Sequence, residues 1–392
     1  MSTTIELPNG LLTDVVAVRR DLHAHPELGF HEHRTAGIVA ARLRELGFEV
    51  HTAIATTGVV GVLHGAKPGR TVLLRADMDG LPMHEANDVP YRSRTENVMH
   101  ACGHDGHVAT LLGAAEIVAK RRQGVAGTIV VCFQPAEEGG GGARVMVESG
   151  VIERFGVERA YGLHYLAHLP TGNVGIRGGP LMASADRIEI EVVGKGGHGA
   201  MPQLSVDPIV TAATFVANLQ QLVSRRVDPI QPAVVSICSF HAGSTNNVIP
   251  TSAQLMGTVR TFDEALRARM PDEIERSLRG TCDAAGATYR YDYHPGFPVT
   301  INDLQQAAYV RQVAQQTFGA QTVSETPPLM GAEDFSYFAQ RVPAAFIFVG
   351  SGGDERTRFP NHHDHFDLDE RAFETGVRLL AALALDAPTA AP

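Results

Sequence analysis

The chain has 392 residues, a length that suits two or three domains. Hydrophobic residues make up 44% and charged residues 19%, which supplies packed cores and excludes a disordered chain. A net charge of −10 with scattered Lys and Arg excludes sequence-independent nucleic-acid binding, and no apolar run approaches the roughly 18 residues of a membrane-crossing helix.

The opening MSTTIELPNG has no basic segment leading into an apolar stretch, so no secretory leader is expected. Helices are predicted near Leu11–His23 and from about Glu32 to Leu46, where Gly47 supplies a C-cap. Short β-branched runs follow at Phe48–Ile54, Val59–His64 and Thr71–Arg75, then a helix over His107–Lys120 and a buried strand, Gly127–Phe133. Near-continuous apolar strands alternating with helices predict an α/β sheet covered on both faces. Around residue 185 the texture changes, and Arg187–Val193 alternates polar and apolar residues as a strand with one wet face should. Asp207–Arg225 is a predicted helix with Ile209, Val210, Ala213, Val216, Leu219, Leu222 and Val223 on one stripe. Strands Val234–Phe240 and Leu255–Phe262, a polar helix over Asp263–Ala284 and the strand Tyr289–Tyr293 complete a strand–helix–strand–strand–helix–strand unit. After Pro298 the α/β texture returns, with helices near Leu304–Phe318 and Arg371–Leu385 around the strand Ala345–Gly350. The pattern predicts a small domain inserted into a larger one, with Ala387–Pro392 a disordered tail.

Four cysteines (Cys102, Cys132, Cys238, Cys282) lie far apart, a usage that suits a reducing cytoplasm, and eighteen histidines direct attention to metal sites. The densest segment is His100-Ala-Cys102-Gly-His104-Asp105-Gly-His107. In an extended stretch Cys102 and His104 point to one side, Gly103 and Gly106 allow tight turning, and Asp105 is placed to cap the following helix. Thiolate with imidazole suits an ion such as Zn²⁺, whereas one Cys and one His alone would be better explained as buried structural residues. Glu137 and Glu138 directly follow the apolar strand, where α/β sheets carry their functional groups. An extended chain would turn the two carboxylates to opposite sides, one toward an ion and one toward water; an isolated Glu-Glu is more often a solvated turn. Asp77, Asp79 and His164 stand at two further predicted strand ends, and Asn361-His362-His363-Asp364-His365 adds three imidazoles. Together these groups suffice for two ions.

HACGHDGH, QPAEEG, RADMDGLP, GKGGHGAMP, NNVIP, GTVRTF and GAEDFSYF, in this order and spacing, resemble the aminoacylase/carboxypeptidase-G metallopeptidases. The branch resembled is that of hippurate hydrolase and the indoleacetyl-amino-acid hydrolases. The resemblance implies an α/β catalytic domain with a mixed sheet covered by helices, residues 1–184 and 298–392. It implies an inserted α+β, ferredoxin-like lid and dimerisation domain over 185–297. By the same resemblance Cys102, His104, Glu138, His164 and His362 match the ligands of a two-metal centre, Zn²⁺ or Mn²⁺ with Co²⁺ or Ni²⁺ also accepted. Glu137 matches the general base that activates water, whose pKa the ions would lower from 15.7 toward about 7. His198 matches an oxyanion-stabilising histidine, and Asn247 and Arg260 match groups that hold the substrate carboxylate; lid closure would bring His198 and Arg260 over the metals.

Two departures stand out. The wider family has His-x-Asp where this chain reads Asp77-Met-Asp79, so Cys102 is expected to compensate, with Asp77 and Asp79 orienting the ligands from behind. Asp364 replaces a usual Pro, which leaves His363 as an alternative to His362. The His23-Ala-His25-Pro-Glu27 segment also matches, without an assigned role. The expectation is a cytoplasmic, metal-dependent amidohydrolase of small N-acyl amino acids, a homodimer or higher oligomer through the lid, with no nucleic-acid or membrane partner. The rivals are a dipeptidase or a diaminopimelate-type deacetylase, a catalytically silent acyl-amino-acid binding protein, and a structural zinc protein. The silent carrier conflicts with an intact Glu137 and ligand set, and the structural site with its mixture of carboxylates.

Overall fold

The computed structural model describes residues 5–389 and divides into two compact units. One comprises Met1–Gly179, Ile301–Pro327 and Asp334–Pro392; the other comprises Pro180–Thr300 and Pro328–Glu333. Among the described residues no helix is long and apolar enough to cross a membrane.

The larger unit is built on an eight-stranded mixed sheet among the described residues. Its strands run Glu49–Ile54, Gly58–His64, Ala126–Gln134, Lys67–Asp77, Arg159–Pro170, Ala344–Gly352, Val174–Gly175 and Val323–Ser324. Lys67–Asp77 pairs in parallel with Ala126–Gln134 and with Arg159–Pro170, and Arg159–Pro170 in parallel with Ala344–Gly352. These central strands are buried through Val72–Leu74, Ile129–Phe133 and Ala344–Val349, as apolar runs covered on both faces must be. Helix His104–Lys120 is buried from His104 to Val118, and an apolar helix of that kind belongs inside a core. Helices Leu11–Ala24 and Ala372–Asp386 pack on it. A Cβ at Gly113 would stand 2.8 Å from Val15 and 3.0 Å from Val377, so this glycine lets the three helices close together. The parallel strands deliver their carboxyl ends, with Asp77 and Gln134, to one side of the sheet.

The smaller unit follows the expected order, with the antiparallel strands Ala233–Ala242, Ser252–Thr261, Ala185–Val193 and Thr288–Phe297 side by side in that sequence. Helices Pro208–Arg226 and Glu264–Ala285 share one core with the sheet, through Phe215, Leu219, Met270 and Ile274 against Ile188, Ile190, Leu255 and Val259. Asp207 and Asp263 cap the two helices, and Gly286 ends the second at φ 71°. The predicted stripe on the first helix is displaced. Thr211, Ala212, Phe215, Leu219 and Leu222 face the core, while Ile209 and Val210 are exposed. Phe215 is fully buried in the shared core on the inward face.

The tail departs from expectation over its first residues. Ala387 is buried and its N–H donates to the Leu383 carbonyl, while the Pro388 carbonyl accepts from the Arg70 N–H. The remainder of the predicted disordered tail, 390–392, lies outside the described residues, as do residues 1–4 of the opening segment.

Candidate metal centre

Helix His104–Lys120 begins three residues before the predicted start, and this changes how its donors converge. Gly103, at φ 90°, turns the chain in the left-handed region, so Cys102 and His104 meet across a turn and not along an extended strand. Gly106 is helical; a Cβ there would meet Leu368 at 2.5 Å, so its smallness serves packing. Asp105 does not cap the helix. Its carboxylate is buried inside the first turn and accepts from Arg19 Nε at 2.8 Å and from His23 Nδ1 at 2.7 Å. The unassigned His23–Glu27 segment thereby gains a role: His23 holds Asp105, and Glu27 accepts the Arg34 and Thr35 N–H groups at the start of the next helix.

Glu137 and Glu138 lie beyond their strand in a tight turn, not in an extended chain as expected, with Ala136 at φ 51°. His164 lies within the strand Arg159–Pro170, which runs past its predicted end. Four separate segments therefore bring Cys102, His104, Glu137, Glu138, His164 and His362 together. Cys102 Sγ is 3.3 Å from both His164 Nε2 and His362 Nε2, and Glu138 Oε1 is 3.1 Å from His362 Nε2 and 3.9 Å from His104 Nε2. Donors set tetrahedrally at 2.0–2.3 Å around an ion stand about 3.3–3.8 Å apart; the two Cys102 spacings fall in that range and the two Glu138 spacings lie just either side of it. His104 Nε2 and Glu138 Oε1 are buried and make no hydrogen bond, a cost that a bound cation would remove. The residues present fit a divalent metal. His363 is turned away: its Nδ1 faces Asp364 at 3.0 Å and its ring stacks on Phe359.

The supporting groups settle the tautomers. His164 Nδ1 donates to the Tyr165 carbonyl at 2.8 Å, leaving the Nε2 lone pair toward Cys102. Asp79 Oδ1 faces His104 Nδ1 at 3.3 Å, and the same carboxylate accepts the Glu137 N–H at 3.0 Å and the Glu138 N–H at 2.9 Å. Asp77 meets His107 Nδ1 at 2.6 Å and Arg75 at 2.7 Å, while His107 Nε2 accepts the Tyr165 N–H, so both nitrogens of that ring are used. Electrostatics follow. Burial opposes a charged His104, but Asp77, Asp79 and Glu138 outweigh it and push the ring up to about 10. Burial, then Glu138, Glu137 and Asp77, push the Cys102 thiol well above its ordinary range. Burial and the neighbouring His107 push His164 well down. Negative charge dominates around His104 and Cys102. Sequence reasoning missed Asn361, whose amide ties the Cys102 and Tyr165 carbonyls at 3.2 and 3.3 Å, and Asp334, which joins Arg75 and Gln134 at 2.8 Å. Asn361 adjoins the C-terminal histidines, but nothing in its spacing marks a carbonyl tie.

The remaining predicted residues lie in the smaller unit. His198 and Asn247 line one hollow, where Gly199 N–H donates to the Asn247 carbonyl at 2.8 Å. The Ala200 N–H donates to His198 Nδ1 at 3.1 Å, so a neutral ring carries its proton on exposed Nε2. Arg260 does not line that hollow. It is half-buried on strand Ser252–Thr261, donates to Thr258 Oγ1 and the Val259 carbonyl, and pairs with no carboxylate among the described residues.

The model of Peptidase family M20/M25/M40 matches residues 73–386. The chain belongs to this family. This M20-family chain is 40% identical to thermostable carboxypeptidase 2 of Saccharolobus solfataricus, over 95% of this chain and 94% of that protein. It is 38% identical to the hippurate hydrolase of Campylobacter jejuni, over 94% and 95% of the two chains. The crystal structure of the Bacillus subtilis YXEP protein, a dinuclear metal-binding peptidase of the M20 family, superposes with a TM-score of 0.85 at 34% identity, covering 97% of this chain and 99% of that one. The expected fold, family and amide-hydrolase class agree with these relatives.

Proposed function

We propose that this chain hydrolyses the amide bond of N-acyl amino acids to a carboxylic acid and a free amino acid, with hippurate-like or N-acetyl compounds as substrates. The Glu137–Glu138 turn carries the reading: Glu138 joins the Cys102 and His362 donors while Glu137 stands at the same cluster beside His104. Cys102, His104, Glu138, His164 and His362 are the proposed ligands of two divalent ions, a number supported by the dinuclear relative. Zn²⁺ and Mn²⁺ suit thiolate, imidazole and carboxylate, with Co²⁺ and Ni²⁺ further candidates. When bound, the ions lower the pKa of water and polarise the scissile carbonyl.

Glu137 removes the proton of the attacking water and returns it to the leaving amine nitrogen. Asp79 keeps the turn and His104 in register, and Asp77 fixes His107 behind them. His198 Nε2–H stabilises the developing oxyanion, and Asn247 and Arg260 hold the substrate carboxylate; a half-buried guanidinium with no carboxylate partner among the described residues supports that role. The domain reading goes with this: residues 1–184 and 298–392 catalyse, and 185–297 form a lid through which a homodimer assembles. Four unpaired cysteines support a cytoplasmic location.

Peptide cleavage is the second reading, favoured by the 40% identical carboxypeptidase. The test is hydrolysis of benzoyl, acetyl and aminoacyl amino acids by chelated enzyme before and after Zn²⁺ or Mn²⁺ is restored. Metal-dependent release of amino acid from the acyl substrates supports the proposal, and release from the aminoacyl ones alone supports peptide cleavage. Full hydrolysis by Glu137→Gln would sink the general-base assignment.

A further inference from the structure

The turn that carries the two glutamates is held in an unusual way. Three successive amides end on buried carboxylate oxygens: Ala136 N–H on Glu32 Oε1 at 2.8 Å, then Glu137 and Glu138 on the two oxygens of Asp79 at 3.0 and 2.9 Å. Ala136 is itself buried at φ 51°, where an L side chain is strained. Its methyl is gripped from both sides, since a Cβ at Gly29 would stand 2.9 Å from it and one at Gly140 2.7 Å.

Glu32 is fully buried, and among the described residues no cation pairs with it. Besides the Ala136 N–H it accepts the Thr57 hydroxyl, at 2.5 Å on Oε2. A buried carboxylate held by neutral donors is costly, and its return is a charge-assisted hydrogen bond to one chosen amide. Its own placement is secured, because Glu27 caps the helix His33–Glu45 that starts at the next residue and the Glu27 carbonyl accepts the Gly80 N–H at 2.8 Å.

We propose that Glu32 is a positioning residue for hydrolysis: it holds Ala136 in the left-handed conformation and thereby aims the Glu137 carboxylate, without itself touching substrate or metal ligands. This rests on Glu137 being the general base. A displacement of the base by about 1 Å costs on the order of a hundredfold in rate. Glu32→Ala is therefore expected to lower kcat by about that factor, with KM and bound metal unchanged, and Glu32→Gln, which keeps an acceptor, by about tenfold.

The decisive arm is Ala136→Gly in the Glu32→Ala background. Glycine adopts positive φ without strain, so the turn no longer needs Glu32 and kcat recovers by about tenfold or more. A kcat for Glu32→Ala within about twofold of the parent enzyme, a loss that tracks lost metal, or no recovery with Ala136→Gly would each overturn the proposal. If Glu32→Ala does not fold, Glu32→Gln and Thr57→Val replace it, and unchanged kcat in both would overturn the proposal equally. Glu137→Gln runs alongside. If it keeps full activity the general-base reading fails; if it is inactive while Glu32→Ala keeps kcat, only the positioning role fails.

Discussion

Replacing Arg19 with methionine keeps most of the side-chain volume and removes the charge from a fully buried network. Arg19 reaches Asp105 at 2.8 Å and Asp367 at 2.7 Å, with no exposure at any of the three. Asp367 would keep the Tyr91 hydroxyl at 2.8 Å and Arg356. Asp105 would keep only His23, so the loss concentrates on the residue that follows the candidate ligand His104. Breaking a buried pair from one side costs about 3–5 kcal/mol. His23 modifies that figure. Burial and Arg19 oppose its charge, yet Asp105 and Glu85 prevail and raise it above the ordinary imidazole value. A raised folded-state value gives stability that is fully present below about pH 6.5 and lost as pH climbs through the folded value. Without Arg19 that value rises further, so His23 retains its proton to higher pH and shields Asp105 in part. Urea unfolding of both proteins is expected to show a loss of about 3–5 kcal/mol, smaller on the acid side, where His23 keeps its proton in both proteins, than on the alkaline side. A loss below about 1 kcal/mol, or one that does not grow with pH, would refute the reasoning.

Asp79→Asn sets an amide N–H against one of the two backbone donors of the glutamate turn and weakens the hold on His104, so metal affinity should fall about 10- to 100-fold in a chelator competition; unchanged affinity would count against it. Because the ion-free site holds protons on Cys102 and on His104 (about 10), binding at pH 7 must expel them. Calorimetry in buffers of different ionisation heat should report release of about two protons, with affinity falling as pH falls. A Cβ at Gly142 would stand 1.7 Å from the Pro135 carbonyl, so Gly142→Ala should displace the turn, cost about 1–3 kcal/mol and lower kcat. Normal thermal stability and turnover in that variant would contradict the packing described.

The elements are legible in the sequence because period-2 and period-3.6 patterns are local, whereas the piece Pro328–Glu333 of the smaller unit, which lies outside the expected 185–297, gives no such signal. The helix Leu304–Phe318 matches its predicted bounds to the residue, and the strand Ala345–Gly350 to within two. The candidate donors stand out because thiol, imidazole and carboxylate are conspicuous residue types, although Cys102 and His104 meet at a helix start, Glu137 and Glu138 in a turn, and His164 lies inside a strand. What stays hidden is backbone chemistry. The start of helix His104–Lys120 follows Gly103 in the left-handed region, and helix Pro208–Arg226 turns Thr211, Ala212 and Phe215 inward while leaving Ile209 and Val210 exposed, a rotation its apolar spacing does not mark. Asp105 resembles a cap because sequence places it near a helix start, while its partners Arg19 and His23 come from more than 80 residues away. Glu32 and Asp79 give no signal at all for their grip on amides about 100 and 60 residues distant, because an acceptor of an N–H need not be any particular acid.

The order in which the proposed ligands occur along the chain sets when the candidate centre can be complete. Cys102, His104, Glu138 and His164 all precede the inserted unit, but His362 follows it, its N–H seated on the Ala101 carbonyl at 2.7 Å. The helix Ala372–Asp386, which covers the ligand-bearing helix, is later still. Of the five proposed ligands, four are therefore synthesised before the smaller unit and one after it. On the proposed ligand set, the full complement of donors exists only once His362 has been made.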